Sequence, residues 1–137
     1  MRPARALIVL LLVALCASGL ADARPRREPP EERYKRLVVL AAVEDYKGRH
    51  ERAIKWLRQA ARIKDTAAVQ CDLGIAHLHL FMRERRAGNR RGAKQLDLAA
   101  QCFKRCETMA ARDKLLPLKR KALAGQRDVM RFKKLLR

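Results

Sequence analysis

Apolar side chains recur at helical spacing along almost the whole chain after residue 30, and this periodicity most constrains the fold. It predicts five helices over residues 31–47, 50–64, 67–86, 93–113 and 118–136, with a bend or split in the last one at Gly125. Beyond residue 23 the chain has no Ser and only two Thr, and Gly and Pro are sparse after residue 30. This composition favours packed helices over sheets, so we expect an all-α fold.

The third predicted helix is apolar on two sides. One stripe holds Val69, Leu73, Ala76 and Leu80, and the other holds Cys71, Ile75, Leu78 and Met82. A helix with two apolar stripes should be buried between neighbours on both sides.

The first 23 residues have the three parts of a secretory signal peptide. Residues 1–5 are basic, residues 6–15 are uninterruptedly apolar, and small residues follow up to the Ala-x-Ala sequence that ends at Ala23. We therefore expect cleavage after Ala23 and export to the periplasm or the extracellular space. Residues 24–30 read as a linker rich in Pro and Arg, because prolines do not sustain a helix.

The chain is strongly basic, with 33 Lys and Arg against 14 Asp and Glu, for a net charge of +19. Removal of residues 1–23, which hold two Arg and one Asp, leaves +18. Such a charge attracts anionic lipids, polyanions and acidic proteins. Nucleic acid is not an expected partner, since no base-reading motif is present and export argues against it.

The exported part would hold three cysteines, Cys71, Cys102 and Cys106. If the third and fourth helices are antiparallel, Cys71 and Cys106 lie level and could form a disulfide, whose formation export favours. The alternative is that all three are small apolar core residues. No metal site is predicted, because His77 and His79 are two residues apart and face different sides of a helix.

No catalytic residues or cofactor are predicted. Gly88 and Gly92 lack the preceding strand and the following Lys-Ser/Thr of a phosphate-binding loop. No Cys–His pair has an orienting third group, and no carboxylates stand out as an acid–base couple. We therefore expect a non-enzymatic protein.

The segment 46–63 (YKGRHERAIKWLRQAARI) resembles the second half of a tetratricopeptide repeat, with Gly48 at the turn and Ala53, Leu57 and Ala60 following. Leu73-Gly74, with Ala76 after it, comes 33 residues after Leu40-Ala41, close to the family's period of about 34. The resemblance covers residues 37–80. It departs from the family at Glu44, where an aromatic is usual. Residues 98–103, which resemble the closing helix of the second repeat, come later in the sequence than the family's period requires. An unrelated helical bundle is the alternative.

The resemblance implies a domain over residues 31–113 with antiparallel helix pairs in a right-handed stack, capped by residues 114–137. It also implies a protein–protein adaptor whose groove holds an apolar or amphipathic helix. The family's carboxylate clamp is not implied, because the only Asn is Asn89. The groove residues implied are Lys35, Val38, Ala42, Asp45, Cys71, Ile75, Leu78 and His79.

The fifth predicted helix is amphipathic. Its apolar residues are Leu118, Ala122, Val129, Phe132 and Leu136, and Arg120, Arg127, Arg131 and Lys134 lie opposite. A capping helix would bury the apolar side on the domain, whereas a membrane-binding helix would lie on anionic lipid. A further alternative is a secreted precursor cut at the basic sites 24–27 and 83–86.

Overall fold

The computed structural model describes residues 27–89 and 92–136, and over these ranges it has five helices and no strands. The prediction of an all-α fold is confirmed, and each helix end lies within two residues of the predicted one. The predicted signal peptide, residues 1–23, lies outside the described residues. The helices are α1 (Pro30–Tyr46), α2 (His50–Ile63), α3 (Ala67–Arg86), α4 (Ala93–Arg112) and α5 (Leu116–Leu135).

Local chemistry fixes where these helices begin and end. Prolines occupy the first turns of α1 and α5, where a missing N–H costs nothing. Thr66 caps α3 by accepting a hydrogen bond from the backbone N–H of Val69 at 3.3 Å. Gly48 has φ +74° in the turn between α1 and α2, a conformation that glycine adopts without strain.

Successive helices are antiparallel, because contacts join the start of one helix to the end of the next. Tyr34 near the start of α1 contacts Thr66 beyond the end of α2. The same register is set by the pairs Glu51–Arg83 between α2 and α3, Cys71–Cys106 and His77–Gln95 between α3 and α4, and Glu107–Gln126 between α4 and α5.

Helix α3 lies at the centre and contributes to two hydrophobic cores, which confirms its predicted two-sided burial. Its first stripe, Val69, Leu73, Ala76 and Leu80, packs with α1 and α2 around Leu37, Ile54 and Leu57. Its second stripe, Cys71, Ile75, Leu78 and Met82, packs with α4 and α5 around Leu96, Phe103 and Val129. Burial of these side chains on both sides is the main stabilising contribution to the fold.

The second core depends on close helix approach at two glycines. A Cβ on Gly125 of α5 would lie 2.3 Å from Cζ of Phe103, and a Cβ on Gly74 of α3 would lie 2.7 Å from Cε1 of the same ring. The expected split at Gly125 is not found, since α5 is one continuous helix. Gly125 instead provides the space that the Phe103 ring occupies.

None of the helices in the described part of the chain is both long enough and apolar enough to span a membrane. The basic site at residues 83–86 forms the last turn of α3, where Arg83 pairs with Glu51 of α2.

Candidate functional site

A cleft of about 710 Å³ opens where α1, the start of α2 and α3 meet. Val38 and Ala42 of α1 and Ile75 of α3 give it an apolar floor. Asp45 and His79 form a polar end of the cleft, where their side chains face each other. The cleft can therefore accept an apolar surface and still offer a hydrogen-bonding end.

A second cleft of about 690 Å³ lies between α3 and α5. It shares Ile75, His79 and Met82 with the first cleft, and α5 adds Ala124 and Phe132. The two clefts thus border the same strip of α3, and together they form what we call the concave face, made by α1, α3 and α5.

Five of the eight predicted groove residues line the first cleft: Val38, Ala42, Asp45, Ile75 and His79. Leu78 lines the second cleft. Lys35 is exposed on α1 and lines neither cleft. Cys71 cannot contact a guest, because it is fully buried and bonded to Cys106.

The polar end of the first cleft is a three-residue cluster joining three helices. Asp45 lies in the last turn of α1, His50 begins α2, and His79 lies on the exposed side of α3. Because an ionised carboxylate only accepts hydrogen bonds, both imidazoles donate to Asp45. His50 Nδ1–H donates to Oδ1 at 2.6 Å and His79 Nδ1–H donates to Oδ2 at 2.8 Å. The two rings lie 5.4 Å apart, centroid to centroid.

The hydrogen bonds of the cluster perturb the pKa values of Asp45 and His79. Partial burial acts to raise the pKa of Asp45, but the hydrogen bonds from His79 and His50 outweigh it, so that this pKa lies below its ordinary value. The hydrogen bond to Asp45 raises the pKa of His79 above its ordinary value, against the opposite effect of burial. Asp45 is therefore a carboxylate at neutral pH.

His77 has a different environment from His79, although the two are close in sequence. It is buried, and its Nδ1 lies 2.7 Å from Oε1 of Gln95 on α4. Burial lowers the pKa of His77, which is the behaviour of a core histidine.

The structure pairs Cys71 of α3 with Cys106 of α4, with the two Cα atoms 5.3 Å apart. This is the pairing that the antiparallel register favours. Cys102, one turn before Cys106, is a free thiol that packs against the first core instead.

The outward face of α5 is basic and apolar at once. Arg120, Arg127, Arg131 and Lys134 are all exposed, and Arg131 also lines the second cleft. Between the basic residues lie Leu116, Leu123 and Met130, which are 63%, 39% and 61% exposed. On the buried side, Ala122 and Val129 pack into the second core, flanked by Leu118 and Phe132, whereas Leu136 is exposed.

Comparison of the chain with protein-family models, curated proteins and solved structures found no match.

The Asp45–His50–His79 cluster was missed by the sequence reasoning, which considered only His77 and His79 of one helix as a pair of metal ligands. One signal could have found it: Asp45 and His79 are 34 residues apart, the period suggested by the repeat-like pattern. Residues one period apart lie on neighbouring, equivalent helices. Asp45 and His50 flank the turn at Gly48, which brings them together.

Proposed function

We propose that the protein is an exported, non-catalytic helical adaptor that holds an apolar or amphipathic helix of another protein on its concave face. The observation that carries the proposal is the pair of adjoining clefts along α3, with apolar walls from Val38, Ile75 and Phe132. A groove of this kind binds a helix through apolar residues spaced along one side of it.

The arrangement of α1 and α3 supports a repeat-like interpretation of the concave face. The hydrogen bond between Asp45 and His79 joins positions one 34-residue period apart. In tetratricopeptide-like stacks the first helices of successive repeats lie side by side and line the groove. Export is supported by the Cys71–Cys106 disulfide, because disulfides persist mainly in oxidising compartments.

Site-specific photo-crosslinking tests the adaptor proposal. A photoreactive side chain at Ala42 or at Ala124 would lie in one of the two clefts, whereas the same side chain at Gln101 would lie on an exposed side of α4. We expect both cleft positions, but not Gln101, to capture one discrete protein from the exported fraction, at low and at high salt, because apolar contacts resist screening. Equal capture at all three positions would contradict the proposal.

A second candidate function is binding to an anionic surface through the outward face of α5. Leu116, Leu123 and Met130 alternate on this face with Arg120, Arg127 and Lys134, at spacings of three and four residues. Exposed apolar side chains set among cations are typical of helices that lie on anionic lipid. Ala122 and Val129 bury the other side of α5 on the domain, so only the outward face is available to contact lipid.

Vesicle co-sedimentation distinguishes this candidate from the adaptor. Binding to vesicles containing phosphatidylserine, with loss on replacing Arg120, Arg127 and Lys134 by Gln, would favour the anion-surface function. Equal, weak binding to anionic and neutral vesicles would exclude it.

A further inference from the structure

We propose that Asp45, His50 and His79 form a binding site for a divalent transition-metal ion of the zinc type. Two imidazoles and one carboxylate are a ligand set that such ions accept. The ligand set carries this proposal by itself, whether or not the concave face serves to hold a guest helix.

The geometry already gathers the three ligands. One ligand atom from each residue lies within 4.8 Å of the other two. Two ligand atoms bound about 2.0–2.2 Å from a tetrahedral zinc ion lie about 3.4 Å apart, so the widest-spaced pair would need to close by up to about 1.4 Å, which side-chain rotation can supply. The ion would take the place of the Nδ1 protons through which His50 and His79 now hydrogen-bond to the carboxylate of Asp45.

The ligands come from rigid elements on three different helices. Asp45 is on α1, His50 on α2 and His79 on α3, and neighbouring residues of each helix are packed in the first core. A site held on helices is positioned more precisely than one on loops. All three side chains are only partly exposed, and they line the first cleft. The remaining coordination positions would therefore face the cleft and be filled by water.

Local electrostatics favours a cation at this point. The carbonyl groups at the end of α1 carry a partial negative charge, and the last turn of α1 contains no basic residue to offset it. Asp45 adds a full negative charge at the same place. Arg83 and Arg86 also line the cleft, but Glu51 pairs with Arg83, and Asp72 adds a further carboxylate to the lining.

The alternative is that the cluster only joins the three helices through hydrogen bonds. The two hypotheses predict different effects on zinc binding when Gln replaces one of the imidazoles. A Gln side chain can still donate a hydrogen bond to Asp45, but it is a poor ligand for zinc. The variants H50Q and H79Q should therefore weaken metal binding while disturbing the helix contacts little.

Calorimetric titration of the full, untagged protein with Zn²⁺ tests the site, after dialysis against a chelator. We expect binding of one ion per chain, weakened about tenfold or more in H50Q and in H79Q. Two controls should bind zinc like the parent: H77Q, which alters a histidine outside the cluster, and C102S, which removes the free thiol found among the described residues. Mg²⁺, which prefers oxygen ligands, should not compete.

NMR of the parent protein gives a readout that does not depend on any variant folding. Zinc should shift the ring resonances of His50 and His79 and leave those of His77 unchanged. The proposal is overturned if the parent binds no zinc, if H50Q and H79Q both bind as tightly as the parent, or if the His77 ring alone responds.

Discussion

The packing of α3, α4 and α5 around one aromatic ring makes Gly125→Ala a demanding test of the fold. Alanine is the better helix former, and in an open helix position the replacement would stabilise by about 0.5–1 kcal/mol. Here the new Cβ would lie 2.3 Å from Cζ of Phe103, well inside van der Waals contact.

The ring has little room to move away. Phe103 is 1% exposed, and its Cε1 would lie 2.7 Å from a Cβ on Gly74, so α3 closes the opposite side. Forcing an extra methyl into a packed core costs about 1–3 kcal/mol. Because the ring has so little room to move, we take the upper part of this range, about 2–3 kcal/mol, and after subtracting the gain in helix propensity we expect Gly125→Ala to lower the free energy of unfolding by about 1–2.5 kcal/mol.

Urea denaturation followed by circular dichroism would measure this effect in two backgrounds. Leucine at position 103 lacks the ring atoms that approach Gly125, so in the Phe103→Leu protein the Gly125→Ala replacement should be neutral or stabilising. The double-mutant cycle should give a coupling of at least about 1 kcal/mol. A Gly125→Ala protein as stable as its parent, or an equal loss in both backgrounds, would refute the close approach at Phe103.

Three further predictions concern the cysteines and a surface ion pair. Replacing Cys71 and Cys106 together by Ala should lower the free energy of unfolding by about 3–4 kcal/mol, because the disulfide closes a loop between residues 35 apart; denaturation curves that match those of the parent would contradict this. Burial raises the pKa of the Cys102 thiol, so less of it is thiolate at neutral pH. Alkylation of Cys102 by iodoacetamide, followed by mass spectrometry, should therefore be slower in the native than in the urea-unfolded protein; equal rates would show an accessible thiol. Glu51→Gln should change the free energy of unfolding by less than about 1 kcal/mol, since Glu51 and its partner Arg83 are both largely exposed; a loss of several kcal/mol in the same denaturation assay would show that this pair holds α2 against α3.

The helices could be predicted from the sequence because periodicity and chain breakers agree at each boundary. Gly48, Thr66 and Pro117 each have a local conformational or capping reason to mark an end. The two stripes of α3 also predicted its central position, since a helix apolar on both sides cannot be at a surface. The predicted split at Gly125 was wrong, because a glycine that makes room for an aromatic ring cannot be distinguished in sequence from one that breaks a helix.

The polar cluster could not be found from the pattern of any single helix. Asp45, His50 and His79 each lie on a different helix: the turn at Gly48 brings Asp45 and His50 together, and the pairing of α1 with α3 adds His79. Likewise, the basic arc of α5 was visible in sequence, but the exposure of Leu123 and Met130 beside it depends on which side of the helix packs on the domain.

In the adaptor proposal, the concave face and not the charge of the protein selects the partner. We would measure the affinity of the partner identified by crosslinking for four forms of the protein, each as a function of salt concentration. These are the parent, Ala42→Glu in the first cleft, Gln101→Glu on α4, and a form with Arg120, Arg127 and Lys134 replaced by Gln. We predict that only Ala42→Glu loses affinity, because it places a carboxylate among apolar contacts, and that the parent's affinity changes little with salt. Loss of binding in the Gln-substituted form alone, with an affinity of the parent that falls steeply with salt concentration, would contradict the adaptor proposal.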